Sequence, residues 1–235
     1  MLKKLFAALI SLAILVVGGT YVYIHFIKDP APKQLSLSDR DSTTKTSAAE
    51  SSSGAPASGN TSVDGTWKAT PESVAGYRVQ EVLFGQGTEA VGRTHSVSGS
   101  MAIAGAVVTS ADFSVDIASI TSDQSRRDGK FRGEIMNATE FPNATFTLTA
   151  PIDLGAIPAD RVEVSAKATG ELTLRGEKRV VSFDLKARRN GANIEVNGTI
   201  PVKFADYKID NPSGGPVTTE DHGVVEFLLV FVASA

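Results

Sequence analysis

The chain holds few groups that could do acid–base or nucleophilic work, and they are scattered. Asp206 and Asp210 flank Tyr207, His222 follows Asp221, and His95 stands between Thr94 and Ser96 in an extended run, with Asp112 in the next. His95 or Asp112 would serve as proton donor or acceptor if the fold closed a dry chamber around them. Cysteine is absent, which removes thiolate nucleophiles, disulfides and cysteine metal sites. The two histidines of the folded part are too far apart for ligand spacing, so no metal is expected. There is no Gly-x-Ser-x-Gly elbow, and Gly85-Gln-Gly87 lacks the further glycine and helix of a phosphate-binding loop. A net charge of -3 argues against nucleic acid as a partner. What remains is binding chemistry, and one segment concentrates it.

From Ile120 to Leu148 a strand pattern stops, a charged stretch intervenes, and a strand pattern resumes. Ser122, Asp123 and Ser125 can cap a short helix. Arg126, Arg127, Asp128, Lys130 and Arg132 alternate with Phe131, Ile135 and Met136, the spacing of a lid with one solvated and one apolar face. Phe141-Pro142 is expected to end it, since proline disfavours the α conformation in the residue before it. Arg127 has two readings: it meets a quinone carbonyl or phosphate head group, or with Asp128 it bonds the loop backbone and fixes the lid.

The elements that must carry this lid are strands. Runs at Tyr77 to Phe84, Val91 to Ile103, Val107 to Ile120, Thr145 to Leu154, Val162 to Leu174, Val180 to Arg188, Asn193 to Phe204 and Val224 to Val232 are rich in Val, Ile, Thr and Phe with period-2 alternation. Gly105, Asn190-Gly191 and Asn211 to Pro216 supply turn chemistry between them. Eight such strands predict an all-β, antiparallel, lipocalin-like barrel with a short helical or loop insertion, because closure leaves no exposed edge. Its inner face would hold Phe113, Val115 and Ile117, then Phe146 and Leu148, Leu172 and Leu174, Phe183 and Leu185, Ile194, and Phe227, with Phe131 and Met136 above them. The final strand is apolar on both faces, as Leu228, Val230 and Val232 alternate with Phe227, Leu229 and Phe231; the Trp67 segment is the expected cover.

Ahead of the barrel lie two other regions. Leu5 to Ile27 is almost wholly apolar, about 23 residues where a bilayer core needs roughly 20 in a helix. Lys3 and Lys4 before it outnumber Lys28 after it, which puts the N-terminus in the cytoplasm and the barrel on the extracytoplasmic side of the cell membrane, a single-pass topology. Residues 1–28 are thus read as cytoplasmic tip and transmembrane anchor. Residues 29–63, dominated by Ser, Thr, Ala, Pro and Gly, are read as a disordered tether, and 64–235 as the barrel.

The segment from Ile120 resembles the YceI-like family of bacterial lipocalin-like barrels associated with long-chain isoprenoid lipids. The matching residues are Ile120-Thr121, Arg127-Asp128, Phe141-Pro142 with Thr145-Phe146, and Gly170-Glu-Leu-Thr-Leu-Arg-Gly176 leading into Val180 to Leu185. Asn137, Phe141 and Arg175 depart from the family's common Asp, Tyr and His. The resemblance implies a barrel that holds an extended isoprenoid, a polyprenyl quinone or polyprenyl phosphate, with Arg127, Asp128 and His95 near the head group or lid and no other cofactor. An enzyme using His95 or Asp112, and a ligand-free envelope interaction domain, are the alternatives. The full chain is expected to remain in the membrane fraction through carbonate washing, with protease releasing a folded fragment that begins near Trp67. Recovery of a soluble protein lacking its apolar N-terminal stretch would replace the anchor with a cleaved signal.

Overall fold

The computed structural model describes Gly19, residues 31–41 and residues 62–234. In it the chain order is β1 (Gly65–Ala69), β2 (Val74–Leu83), β3 (Gln86–Thr94), β4 (Val97–Ala104), β5 (Val107–Asp116), β6 (Thr121–Ser122), β7 (Asn143–Leu148), β8 (Ile152–Asp153), β9 (Val164–Leu174), β10 (Glu177–Asn190), β11 (Asn193–Lys203), β12 (Val217–Thr219) and β13 (His222–Ala233). Short breaks at 70–73, 95–96, 117–120 and 149–151 divide four longer strands, so that β1/β2, β3/β4, β5/β6 and β7/β8 each run as one. With β9, β10, β11 and β13 they make eight antiparallel staves, and β1 closes the ring by pairing with β4 on one side and β13 on the other. The eight runs read from alternation correspond to these staves, and β1, which the sequence reading treated as a cover, is part of the wall.

Residues opposite one another in a ladder share a face, so register decides what points inward. Leu185 faces Gly198 across β10 and β11, and Gly198 faces Phe227 across β11 and β13. The hairpins β4–β5 and β10–β11 turn at Gly105 and Gly191, with φ of 60° and 62°; a left-handed conformation costs glycine nothing. These two hairpins lie at one end of the barrel. At the other end are the β2–β3 and β9–β10 hairpins, residues 204–221, and helix α1 (Ser125–Lys130) with a π-helical turn over Phe131–Ile135; this is called the lid end below.

Two expectations need correction. The cover on β13 is not the Trp67 segment: Trp67 belongs to the interior cluster, its indole N–H donating to the Val63 carbonyl at 2.8 Å. The outer face is covered by residues 31–41, part of the stretch expected to be a disordered tether. Leu35 and Leu37 pack with Leu228 and Val74, and the wall's side chains donate to carbonyls of the strap: Arg78 to Pro32 at 2.6 Å, Asn197 to Leu35 at 2.8 Å and Arg188 to Leu37 at 2.9 Å. Composition could not show this, because the partners of the strap's carbonyls, and of Arg40 and Asp41, lie far away in the chain.

Beneath the strap Glu195 and Glu226, outward-facing on β11 and β13, are fully buried. Glu195 pairs with Arg188 at 2.8 Å and with Arg40 of the strap at 3.2 Å. Glu226 pairs with Arg93 at 2.7 Å and Arg78 at 3.3 Å. Burial works against the Arg188 charge, but the carboxylates of Asp41 and Glu195 outweigh it and hold the guanidinium above its ordinary pKa. Removing one partner from such a set leaves an uncompensated buried charge. Glu226→Leu is therefore expected to lose about 3 kcal/mol in urea unfolding. Asp184→Asn, which removes an ion pair whose two side chains are 65% and 82% exposed, should lose less than about 1 kcal/mol. Equal effects would show that the buried set is not what holds this wall.

Candidate functional site

The eight staves enclose a cavity of about 900 Å³. All thirteen interior residues expected from alternation and from the lid line it: Phe113, Val115, Ile117, Phe131, Met136, Phe146, Leu148, Leu172, Leu174, Phe183, Leu185, Ile194 and Phe227. The barrel is hollow rather than filled, and the reason lies in four glycines. Gly92 faces Tyr77, Gly99 faces Phe113 and Gly198 faces Phe227 in the ladders, and Gly170 lies beside Phe146. A Cβ on Gly92 would fall 2.4 Å from the Tyr77 ring, one on Gly99 2.6 Å from the Phe113 ring, one on Gly170 2.3 Å from the Phe146 ring and one on Gly198 2.8 Å from the Phe227 ring. Each ring lies down on bare backbone, the close approach that glycine within a strand permits. The aromatic area is thus spent on the wall and not across the lumen. Ala111, Ala144, Ala168 and Ala187 line the cavity too and leave further width.

Over one end sits the lid. Phe131 stacks on Tyr77 with ring centres 4.5 Å apart, and Ile135 and Met136 line the cavity beside it. The π-helical turn accounts for this: the Met136 N–H bonds to the Phe131 carbonyl at 2.8 Å, a five-residue step that brings both side chains over the lumen. The expected caps differ in detail. Gln124 occupies the helix N-cap without a side-chain bond, while Ser122 donates its N–H and hydroxyl to the Asp128 carboxylate at 2.8 and 2.6 Å. Asp128 is buried and does not line the cavity; it pins the start of the lid. The helical turn also ends before Phe141-Pro142, at Asn137, whose φ of 47° suits a side chain that tolerates the left-handed region.

The rim of this mouth is polar. Arg127 lines it and pairs with Asp123 and, at 3.8 Å, with Glu81 of β2. Lys130 donates to the Pro212 carbonyl at 3.0 Å, tying the lid to the loop beyond β11. Thr219, 5% exposed, has a hydroxyl without a hydrogen-bond partner among the described residues, and it lines the cavity. Burial raises the Tyr77 phenol above its ordinary pKa, so it stays neutral. An apolar tunnel under a rim of mixed charge, Arg127 and Lys130 beside Glu81 and Glu134, with the Thr219 hydroxyl, can take an extended hydrophobic chain with a polar end.

The groups considered for proton transfer are elsewhere. His95 is exposed at the break between β3 and β4, its ring nitrogen 3.1 Å from the Ser73 carbonyl, and it does not line the cavity, contrary to its expected place at the head group or lid. Asp112 is on the outer face of β5, where Thr147 donates to it at 2.9 Å. Asp206 and Asp210 are exposed. Outward parity explains Asp112; Asp206 lies in a 3-10 turn and Asp210 in the loop after it, and His95 lies in a break where parity lapses. Among the described residues no group of three or more metal-ligating side chains gathers.

Tyr77, Glu81, Thr219 and Arg189 line the cavity and were missed by sequence reasoning. Ala75, Tyr77, Val79 and Glu81 alternate along β2, so the signal was present; Thr219 carries none, because the three-residue β12 that sets it opposite Glu81 is too short to show a period. The four glycines interrupt strand runs, a pattern that marks close approach.

Residues 67–231 match the model of the YceI-like domain. Among solved structures the chain is similar to a polyisoprenoid binding domain from Saccharophagus degradans implicated in plant cell wall breakdown, at 21% identity and a TM-score of 0.59 over 72% of this chain and 98% of that one. It is also similar to BcnA of Burkholderia cenocepacia, at 22% identity and a TM-score of 0.51 over 66% of this chain and 95% of that one. At these identities the likeness is one of fold. No curated protein sequence matches the chain.

The glycine–aromatic packing makes a sharp prediction. In Gly92→Ala the new methyl meets only side-chain atoms, of Tyr77 and Ile120, so the Tyr77 ring should swing into the lumen and lose its stacking on Phe131. The expected readout is a stability loss of about 1 to 3 kcal/mol together with faster hydrogen exchange at residues 125–136. Unchanged exchange in the lid would sever the link between that glycine and the mouth.

Proposed function

The chain belongs to the YceI-like family, and from that premise we propose that its barrel binds and carries an amphipathic isoprenoid lipid, a polyprenyl quinone or polyprenyl phosphate, on the extracytoplasmic side of a membrane. The observation that carries the reading is the predominantly apolar lining of a cavity of about 900 Å³ beneath a lid whose underside, Phe131, Ile135 and Met136, is apolar as well. Each CH₂ moved from water into such a lining contributes roughly 0.8 kcal/mol, so a long polyprenyl chain gains affinity along its whole length. The polar end then lies at a mouth, with Arg127, Lys130 and the Thr219 hydroxyl as its neighbours at the lid end. The similar Saccharophagus protein is a polyisoprenoid binding domain, which supports the choice of ligand class. The apolar stretch Leu5 to Ile27 and the lysines that flank it support the location.

Release requires the lid to move. Asp128 anchors its start to Ser122, and its polar ties to the rest of the mouth include the Arg127–Glu81 ion pair and the Lys130 bond to Pro212. Tyr77 stacking on Phe131 adds an apolar latch. A carrier needs this balance, because a barrel sealed by a dense polar network could not exchange its cargo.

Native mass spectrometry of the purified full chain, followed by lipid extraction, tests the reading. The expected result is one isoprenoid per barrel. Phe183→Trp, which enlarges a ring packed edge-on against Phe146 and Phe227 at 5.5 and 5.9 Å, should lower the retained lipid with limited loss of fold. Arg127→Gln should leave most retention intact while speeding exchange. A lipid-free parent in which Phe183→Trp behaves as an overpacked core, destabilised by about 1 to 3 kcal/mol, would reject the carrier. Chemical alteration of the lipid on incubation would make the protein an enzyme.

A further inference from the structure

The strap at 31–41 runs beside β13 in a fixed direction. The guanidinium that grips the Pro32 carbonyl belongs to Arg78, in register with Val224. Lys33 is held by Arg93, opposite Gly76 and so at the level of Glu226. Leu35 is held by Asn197, opposite Leu228, and Leu37 by Arg188, opposite Glu195 and so at the level of Val230. Successive carbonyls are thus caught at Val224, Glu226, Leu228 and Val230, a descent of roughly 20 Å at the usual strand rise. It starts two residues from the first residue of β13, at the lid end, and proceeds toward the β10–β11 hairpin. The chain enters from the lid end.

Only residues 28–30 separate the apolar stretch ending at Ile27 from Ala31. Fully extended, they allow about 14 Å between Ile27 and Ala31. If Leu5 to Ile27 crosses a bilayer, the lid end cannot be far from it. What stands on that rim fits a lipid surface. The β2–β3 hairpin turns through Phe84 and Gly85, with φ of 48° and 82°, and Phe84 and Val82 are 44% and 42% exposed. Such a two-residue turn favours Asn or Gly in its first place. A phenylalanine there is set by neither the turn nor the core, and its apolar ring suits burial at the boundary between head groups and acyl chains.

We propose that the strap orients the barrel with its lid end against the phospholipid bilayer, the β2–β3 hairpin dipping Phe84 and Val82 into the interface, so that the mouth beneath Phe131 opens toward the membrane. This rests on the reading of Leu5 to Ile27 as a membrane span. It replaces a barrel roaming on a flexible tether with one docked in a defined pose. The lipid then passes between bilayer and lumen without crossing water.

The absence of cysteine makes single-site labelling direct. Gly87→Cys, where an added side chain meets open space, and Ala192→Cys in the opposite hairpin are each labelled with bimane in the full chain. They are then reconstituted in phosphatidylcholine–phosphatidylglycerol vesicles containing brominated acyl chains. The label at 87 is expected to be quenched severalfold more than the label at 192. Phe84→Ser with Val82→Ser should reduce the difference, and Leu35→Asp with Leu37→Asp should abolish it while the chain stays with the vesicles. Equal quenching at 87 and 192 in the otherwise unaltered chain, or stronger quenching at 192, overturns the orientation and leaves the span intact. Loss of the chain from the vesicles on carbonate washing overturns the span and the orientation with it. Lipid retained per barrel, measured on the same samples, reports on the carrier reading independently of both.

Discussion

The packing of inward aromatic rings onto bare glycine backbone is the constraint on which this molecule turns. An eight-stranded barrel is narrow enough for its side chains to fill, and the inner face here carries Phe113, Phe146, Phe183 and Phe227 besides Tyr77. Laid across the lumen, these rings would make an ordinary core. With Gly92, Gly99, Gly170 and Gly198 as neighbours, the rings of Tyr77, Phe113, Phe146 and Phe227 lie against the wall instead. Burial of the rings holds the staves together, and the space they leave becomes the cavity. Stability and hollowness, which usually oppose one another, are met by the same contacts.

A hollow barrel loses the packing of a central core, and the outer surface makes up part of the difference. The strap, Leu228 and the fully buried Glu195 and Glu226 give the β11–β13 wall a second, outer layer in which four arginines, Arg40, Arg78, Arg93 and Arg188, serve two carboxylates. Paired this way the charges are tolerated beneath the strap, and the geometry is specific where apolar cover alone would be permissive. The lid is built on a lighter scale. It has one buried carboxylate, Asp128, to fix its start, an asparagine in the left-handed region to end it, and a stacked ring pair to close it. The three departures from the family's common residues fall at the foot of this structure: Asn137 at its end, Phe141 against Gly176, and Arg175 donating to the Lys208 carbonyl.

Most of the fold was legible in the chain because a barrel wall obeys a strict period of two. Eleven inward Phe, Leu, Val and Ile residues could be assigned from parity, and these, with Phe131 and Met136 of the lid, lie on the cavity. The misses occur where that period stops governing. His95 lies in a break between strands, and Thr219 sits in β12, a strand of three residues and too short to show a period. The strap has a disordered composition, yet it is ordered by side chains elsewhere in the chain that bond its carbonyls, an interaction no local pattern encodes. The tether's residues 29–30 and 42–61, and the apolar stretch Leu5 to Ile27 apart from Gly19, lie outside the described residues; among those described no helix is long and apolar enough to cross a membrane.

The central claim is that the lumen is a binding site for an extended apolar chain, and isotope-filtered NMR addresses it at the atoms concerned. With uniformly labelled protein and unlabelled co-purified lipid, the account predicts intermolecular contacts from lipid methyl groups to the rings of Phe146, Phe183 and Phe227 and to the Met136 methyl at the lid. Contacts confined to the outer surface, with the lumen rings seeing only one another, would contradict it.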